Sequence, residues 1–184
     1  MAEPIYAGVT SASPSITAYS SRLPRPWKMS EAGIKFLEGW EAFSATLYDH
    51  DGSKQGNATI GYGHLVHLGK ISGAPSETPF LKRITGEEAE KLLKSDLVKT
   101  ERTVNGAVTC DLYQFEYDAL TCFTYNLQNK ALPLLDFVNK GDYKRVGDEM
   151  RQYGHSGGRV VKGLFKRRHR EAEMFEAGVY DSSH

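Results

Sequence analysis

"EAFSATLYDHDGSKQGNATIGYGH", residues 41–64, combines two strand-like segments with a run of turn-forming residues. Its segments SATLYD and NATIGYG carry the β-branched and aromatic residues that favour strands. Between them lies a run rich in Asp, Gly and Ser, residue types that favour turns because they accept or stabilise a turn backbone. The stretch therefore predicts a β-hairpin, with Glu41 just before its first strand and Thr59 in its second.

Helical patterns lie on both sides of this hairpin. Ser30 opens a run with apolar residues at helical spacing, and Glu41 falls in the last turn of that helix. Thr85 and Glu88 have the spacing of a capping box, which predicts a long helix from about 86 to 104 that joins two lobes. Further helices are predicted from about 111 and near 132–139, 142–152 and 160–176. The inner face of the last one is predicted to hold Val161, Leu164, Phe165, Arg168, Ala172 and Phe175.

This order of elements predicts an α+β fold with a small β-hairpin lobe and a mostly helical lobe, because the strands are confined to one part of the chain. The segment at 72–79, SGAPSETP, is predicted to be a loop from its Gly, Ser and Pro content.

Composition excludes several classes of protein. The 184 residues include 23 Lys or Arg and 23 Asp or Glu, so the zero net charge predicts no general attraction to nucleic acid or to a membrane surface. No run approaches the ~18 apolar residues of a membrane span. Cys110 and Cys122 are too few for a disulfide framework and form no CxxC pair, so we expect reduced cysteines without a metal or redox role.

The two ends of the chain differ from its middle. Residues 1–28 are rich in Ser and Pro, which is typical of a tail or linker, and residues 179–184 are predicted to be a C-terminal tail. Residues 29–178 remain as the folded domain. The N-terminus lacks a basic start followed by an apolar run, so we expect synthesis in the cytoplasm without a secretory signal.

The polar residues of the hairpin allow an ordinary turn, a metal loop or an active site. A calcium loop needs Gly at its sixth position and Glu at its twelfth, where this sequence has Lys54 and Ile60. His64 and His67 lack a further ligand at a spacing diagnostic of zinc. We therefore predict neither a metal nor another cofactor.

Carboxylate catalysis is the third interpretation of the hairpin. Glycoside hydrolysis needs one protonated acid at the leaving oxygen and one ionised acid on the other side of the sugar. Glu41 at a helix end, Asp49 or Asp51 on the loop, and the hydroxyl of Thr59 supply such groups on adjoining elements. Spacing alone does not choose between catalysis and an ordinary turn.

A longer segment, WEAFSATLYDHDGSKQGNATIGYGHLVHLG, resembles the signature of the phage-type lysozymes, glycoside hydrolase family 24. Glu41, Tyr48 seven residues later, and the intact TIGYGH at 59–64 carry the resemblance, with Ala42 where the family usually has Gly. Residues 114–126 resemble the central helix of the family, and residues 163–175 resemble its closing helix with paired arginines. The resemblance covers about residues 30–176.

The resemblance implies a two-lobed muramidase that cleaves the β-1,4 bond between N-acetylmuramic acid and N-acetylglucosamine in peptidoglycan. It implies inversion by single displacement, with Glu41 as general acid and Thr59 holding the attacking water. It further implies that Arg167 lies against Glu41 and that Asn126 faces the substrate. Lytic transglycosylation and a catalytically impaired peptidoglycan-binding module are the alternatives.

The second acid is the open assignment. The family pattern expects an Asp nine residues after the Glu and six before the Thr, where this chain has His50 and Ser53. We favour Asp51 over Asp49, because Gly52 can turn the chain after it and because Asp49 alternates in direction with Tyr48 along a strand.

Two further residues are candidate substrate contacts. Tyr48 is a sugar contact or part of the lobe core, and His64 contacts substrate or makes a structural bond between the hairpin and the next segment. Peptidoglycan glycan strands are the expected partner, and we expect a monomer that binds no nucleic acid. The chain is expected to act in the periplasm or cell wall after release or delivery.

Overall fold

The computed structural model describes residue 22 and residues 27–51, 54–156 and 159–184, without the side chains of Asp51, Lys54, Gln55, Ser156 and Arg159. The chain divides into two compact units. Residues 37–99 form the sheet unit, and the described part of residues 1–36 together with residues 100–184 forms the helical unit.

Three antiparallel strands in the order β1-β2-β3 build the sheet unit: β1 (Ser44–Asp51), β2 (Lys54–Gly61) and β3 (His64–His67). The predicted hairpin is β1 and β2. The prediction missed β3, because its four residues are too few to show alternation. Gly63, with φ of +82°, lies in the two-residue turn from β2 to β3, where a side chain would be strained.

The sheet unit packs around a small buried cluster of Ile60, Ile84 and Ala89. Gly61 has φ of +66°, and a Cβ there would lie 3.2 Å from the Cβ of Ala89. A glycine at position 61 therefore allows both the backbone turn and the close approach of the strand to the helix that carries Ala89.

Two helices belong to both units. α1 (Glu31–Trp40) crosses the boundary after Phe36, and α2 (Gly86–Ala107) crosses it after Lys99. The predicted capping box of α2 is confirmed: the Thr85 N–H donates to the Glu88 carboxylate at 2.7 Å, and the Glu88 N–H donates to the Thr85 hydroxyl at 3.2 Å. The loop predicted at 72–79 is wrong in part, because Pro75–Phe80 form a short 3₁₀ helix.

The helical unit contains α3 (Gln114–Leu127), a 3₁₀ turn (Gln128–Ala131), α4 (Leu132–Asn139), α5 (Tyr143–Gln152), β4 (His155–Ser156), β5 (Arg159–Val160) and α6 (Lys162–Ala177). The small β4–β5 pair was not predicted. The α+β class is confirmed, with the main sheet confined to one unit. Among the residues described, no helix is both long and apolar enough to cross a membrane.

The inner face predicted for α6 is only partly right. Arg168, Ala172 and Phe175 are buried, but Val161 and Phe165 are 39% and 41% exposed. Val161 precedes the first residue of the helix, and the Phe165 ring packs on the His169 ring with centroids 4.0 Å apart.

Parts of both predicted tails pack on the helical unit. Arg22 donates to the buried carboxylate of Glu116 at 2.9 Å, and Trp27 is 4% exposed. At the other end, the hydroxyl of Tyr180 donates at 2.6 Å to Asp118, a fully buried carboxylate. Asp118 also accepts hydrogen bonds from the N–H and hydroxyl of Ser30 and from the Gln114 amide. Burial raises the pKa of Asp118, while these donors oppose the shift.

Candidate active site

The open face of the sheet carries Thr59 in its middle strand. Ala58 and Ile60, its neighbours in β2, are fully buried. Side chains alternate along a strand, so Thr59 points to the opposite, accessible face. There it pairs with Tyr48 in β1 and with Leu65 in β3, which is 49% exposed. The Thr59 hydroxyl donates to the Asn57 carbonyl at 2.7 Å, which leaves its oxygen lone pairs able to accept a hydrogen bond from water.

Glu41 lies one residue beyond the end of α1, not in its last turn as predicted. Its backbone N–H still donates to the Leu37 carbonyl at 3.1 Å, so the residue continues the path of the helix into the connection to β1. Its side chain is half-buried. Glu41, Tyr48 and Thr59 therefore all belong to the sheet unit.

The two candidate aspartates are placed differently. The Asp49 carboxylate accepts a hydrogen bond from the Ile71 N–H at 3.0 Å. Asp51 is the last residue of β1 and pairs with Lys54, and its side chain lies outside the described residues. Between them the His50 ring meets the Tyr48 ring edge to face, with centroids 5.8 Å apart. The register of β1 on β2 shifts between Tyr48 and His50, which marks a local irregularity.

His64 and His67, whose spacing did not predict a zinc site, each contact a carboxylate. His64 Nδ1 lies 2.9 Å and 3.1 Å from the oxygens of Asp96 in α2, which is the structural bond considered for this residue. His67 Nε2 lies 2.8 Å from the carboxylate of Glu77 in the 3₁₀ helix. Among the residues described, no cluster of three His, Cys, Asp or Glu side chains could hold a metal ion.

Glu77 is a buried carboxylate that the sequence did not suggest. It accepts hydrogen bonds from the Ser72 and Gly73 N–H groups at 2.7 Å and 3.0 Å. The hydrogen bond from Ser72, followed by that from His67, lowers the pKa of Glu77 to about 2. The pKa of His67 is raised by its contact with the Leu68 carbonyl and by Glu77.

The candidates on the helical unit belong to a network of buried charges. Arg167 Nε donates to Glu171 at 3.0 Å, and Arg168 contacts the other oxygen of Glu171 at 2.7 Å. Arg168 also donates to the side-chain oxygen of the exposed Asn126 at 2.8 Å, and its guanidinium lies over the Phe123 ring. The site prediction did not include Arg168 or Glu171. Glu171 follows Arg168 by three residues and Arg167 by four, and this spacing is typical of ion pairs on one face of a helix.

A protein-family model described as Phage lysozyme matches residues 38–171. The chain belongs to the phage lysozyme family. This confirms the resemblance drawn from the hairpin and the two helices. Among curated relatives, the endolysin of Bacillus phage B103 is 32% identical over 156 residues. The match covers 82% of this chain and 54% of that endolysin, so the chain spans about half the length of that relative.

Two solved structures match this chain over nearly their whole length. An endolysin from Escherichia coli O157:H7 phage FAHEc1 matches with a TM-score of 0.70 and 26% identity, over 84% of this chain and 97% of that chain. The muramidase domain of SpmX from Asticaccaulis excentricus matches with a TM-score of 0.66 and 27% identity, over 81% of this chain and 97% of that chain. The lysozyme-like fold predicted from the sequence is thereby confirmed.

Proposed function

We propose that this phage lysozyme family member is a muramidase that hydrolyses the β-1,4 bond between N-acetylmuramic acid and N-acetylglucosamine in peptidoglycan. The observation that carries the proposal is the family match over residues 38–171. The matched residues contain the three-stranded sheet, all of α3 and the first ten residues of α6. The muramidase domain of SpmX, which has the same fold at 27% identity, supports it.

In this mechanism Glu41 protonates the glycosidic oxygen as the bond from that oxygen to the anomeric carbon breaks. A water attacks the same carbon from the opposite side and loses a proton to Asp51, so the configuration inverts. Thr59 holds this water through its hydroxyl. Inverting sites keep their two carboxyl groups ~6.5–9.5 Å apart to leave room for the water.

The remaining assigned residues bind the glycan. Tyr48 shares the accessible sheet face with Thr59, so its ring can pack against a sugar. Arg168 donates a hydrogen bond to the side-chain oxygen of Asn126. The two amide N–H donors of Asn126 can then bind a hydroxyl or acetamido group of the glycan. His64 is the second contact on the sheet unit, and Arg167, which donates to Glu171, is the second on the helical unit.

The proposal places the activity on peptidoglycan in the periplasm or cell wall, carried out by a monomer. Residues 29–178 are the catalytic domain in this scheme. Residues 1–28 serve as a linker and residues 179–184 as a terminal segment, with Arg22, Trp27 and Tyr180 fixing their inner parts to the helical unit.

The test is a turbidity assay with the purified chain on Gram-negative cells stripped of their outer membrane, followed by mass spectrometry of the soluble fragments. We expect clearing and fragments with reducing N-acetylmuramic acid ends, released with inverted configuration by NMR. Fragments ending in 1,6-anhydro sugars would identify a lytic transglycosylase instead. Binding to the walls without any cleavage would identify an impaired binding module.

A further inference from the structure

The side chain of His50 lies on the accessible face of the sheet, beside the candidate site. Its ring meets the Tyr48 ring edge to face, with centroids 5.8 Å apart, and Tyr48 pairs with Thr59 across the two strands. This ring contact shows which face His50 occupies, so the irregular register of β1 does not have to be relied on. The side chain is exposed to solvent. His50 therefore shares an open surface with the hydroxyl that is proposed to hold water.

His50 is near enough to Thr59 for one water to bridge the two side chains. It follows Tyr48, the direct partner of Thr59, by two residues of β1. Residues placed diagonally across an antiparallel pair lie roughly 7–8 Å apart, and their side chains shorten this gap. The extra residues of the irregularity belong to β2, between Gln55 and Thr59, so they do not lengthen β1 between Tyr48 and His50.

Apart from His50, the described side chains of the three strands that could accept a proton already have partners. The rings of His64 and His67 in β3 each contact a carboxylate. The Asp49 carboxylate accepts the hydrogen bond of the Ile71 N–H at 3.0 Å. Among the described residues, neither a hydrogen bond nor an ion pair engages the His50 ring. Its ring nitrogens are therefore open to a water molecule.

We propose that His50 is a catalytic residue that takes the proton from the attacking water. This assignment rests on the muramidase activity proposed above and changes one step of it, the proton transfer that was given to Asp51. In that step the water oxygen bonds to the anomeric carbon while the bond from this carbon to the leaving oxygen breaks. Glu41 gives its proton to the leaving oxygen, and an unprotonated ring nitrogen of His50 takes a proton from the water.

The surroundings of His50 suit this role. Histidine is the side chain that most often acts as a general base, and the Tyr48 contact restricts the orientation of the ring. Because the ring is exposed, it can pass the proton on to solvent after each turnover. The family pattern expects an aspartate nine residues after Glu41, where this chain has His50. A histidine acceptor is therefore a departure from that pattern in this chain.

Substitution of His50 measures the role directly. His50→Asn keeps a polar side chain but removes the base, and loss of a general base costs ~10²–10⁴-fold. With soluble peptidoglycan fragments we expect kcat to fall about 10³-fold while KM stays within about threefold, because the lost interaction belongs to the transition state. The melting temperature should match the wild type. His155→Asn, the same change at another exposed histidine, is the control and should keep wild-type turnover.

Two rescues separate loss of the base from loss of structure. His50→Asp supplies a carboxylate that can also accept a proton, so it should retain more turnover than His50→Asn. Azide can attack the anomeric carbon without a general base, forming a glycosyl azide while Glu41 protonates the leaving oxygen. Added azide should therefore restore turnover to His50→Ala. It should not restore turnover to Glu41→Gln, which lacks the proton for the leaving oxygen.

Three outcomes would overturn the assignment to His50. Near-wild-type turnover of His50→Asn, beside an active wild type, would overturn this step alone. A loss in His50→Ala that azide does not reverse, together with a loss in Asp51→Asn that azide does reverse, would return the step to Asp51. A wild-type chain that does not hydrolyse peptidoglycan would overturn the proposed function and this step together.

Discussion

The sheet unit and the helical unit are stabilised by different means. Beneath the sheet the buried cluster has three members, and carboxylates bind loop amides and histidines. In the helical unit, α3 is buried over every residue from Phe115 to Thr124, which is typical of a central helix packed on all sides. The comparison indicates that α3 is enclosed by packing on all sides, while polar contacts hold the loops of the unit that contains Glu41 and Thr59.

The largest expected effect is a loss of catalytic rate without a loss of stability. Glu41→Gln should reduce peptidoglycan hydrolysis by about 10³-fold, because it removes the proton for the leaving oxygen. The melting temperature should stay within about 2 °C of the wild type, since the residue is half-buried beyond the end of α1 and outside the buried cluster. The measurement is the turbidity assay together with a thermal melt.

Glu38→Gln is the matched control for that variant. Glu38 lies one turn earlier, in α1, and has no role in the proposed mechanism. It should keep near-wild-type turnover. Near-wild-type turnover of Glu41→Gln would refute the assignment of the general acid.

The next effect tests the core of the helical unit. Leu120 in α3 is fully buried, so Leu120→Ala should lower the free energy of unfolding by about 2–5 kcal/mol through lost burial and a cavity. Urea denaturation measures this change. Leu132→Ala is the control, because Leu132 is 41% exposed and its loss should cost less than about 1 kcal/mol. Equal costs for the two variants would contradict the central place of α3.

A smaller effect is expected in the sheet unit. Ile60→Val removes one buried methylene and should cost about 0.5–1.5 kcal/mol. We expect hydrogen exchange to accelerate in β1, β2 and β3 and to remain unchanged in α3, because weakly packed regions open locally. Ile71→Val makes the same change at a side chain that is 40% exposed, and its exchange pattern should match the wild type. Equal acceleration in α3 would show that the two units open together.

The smallest effect depends on pH. The pKa of Glu77 is lowered from 4.5 to about 2, so its carboxylate stabilises the fold above pH 4.5, and that contribution disappears as the pH falls toward 2. The raised pKa of His67 makes its contribution largest at low pH, and it is lost as the pH rises through the raised value. Glu77→Gln should therefore melt below the wild type at pH 5–6.

The expected difference between Glu77→Gln and the wild type shrinks steadily on acidification toward pH 2. Exchange at the Ser72 and Gly73 amides should follow the same course, since Glu77 accepts both N–H groups. A difference in melting temperature that is constant from pH 6 to pH 2 would contradict a stabilising role of the ionised Glu77 carboxylate as acceptor of the Ser72 and Gly73 N–H groups.

The sequence was most informative where local signals and packing agree. The capping box at Thr85 and the glycine-bearing TIGYGH predicted α2 and the hairpin, because each signal depends on neighbouring residues alone. β3 is too short to show a period. The bond between His67 and Glu77 joins residues ten apart across an irregular loop, and no spacing rule anticipates it.

The candidate site was harder to predict than the fold. Glu41 and Thr59 follow from the family signature, and the structure places both in the sheet unit. The choice between Asp49 and Asp51 depends on the direction of a side chain at an irregular strand, which sequence alternation cannot give. The contact between Asp49 and Ile71 depends on how a segment 22 residues away folds back.

The carboxylate of Asp118 also has a consequence for synthesis of the chain. Its partners come from three separate parts of the sequence, and the last donor, Tyr180, follows it by 62 residues. Ribosomes add about 5–20 residues per second, so roughly 3–12 s pass between the two. During those seconds Ser30 and Gln114 are already present to donate to Asp118, but the hydrogen bond from Tyr180 cannot form. The helical unit therefore reaches its full set of contacts only after Tyr180 has been synthesised.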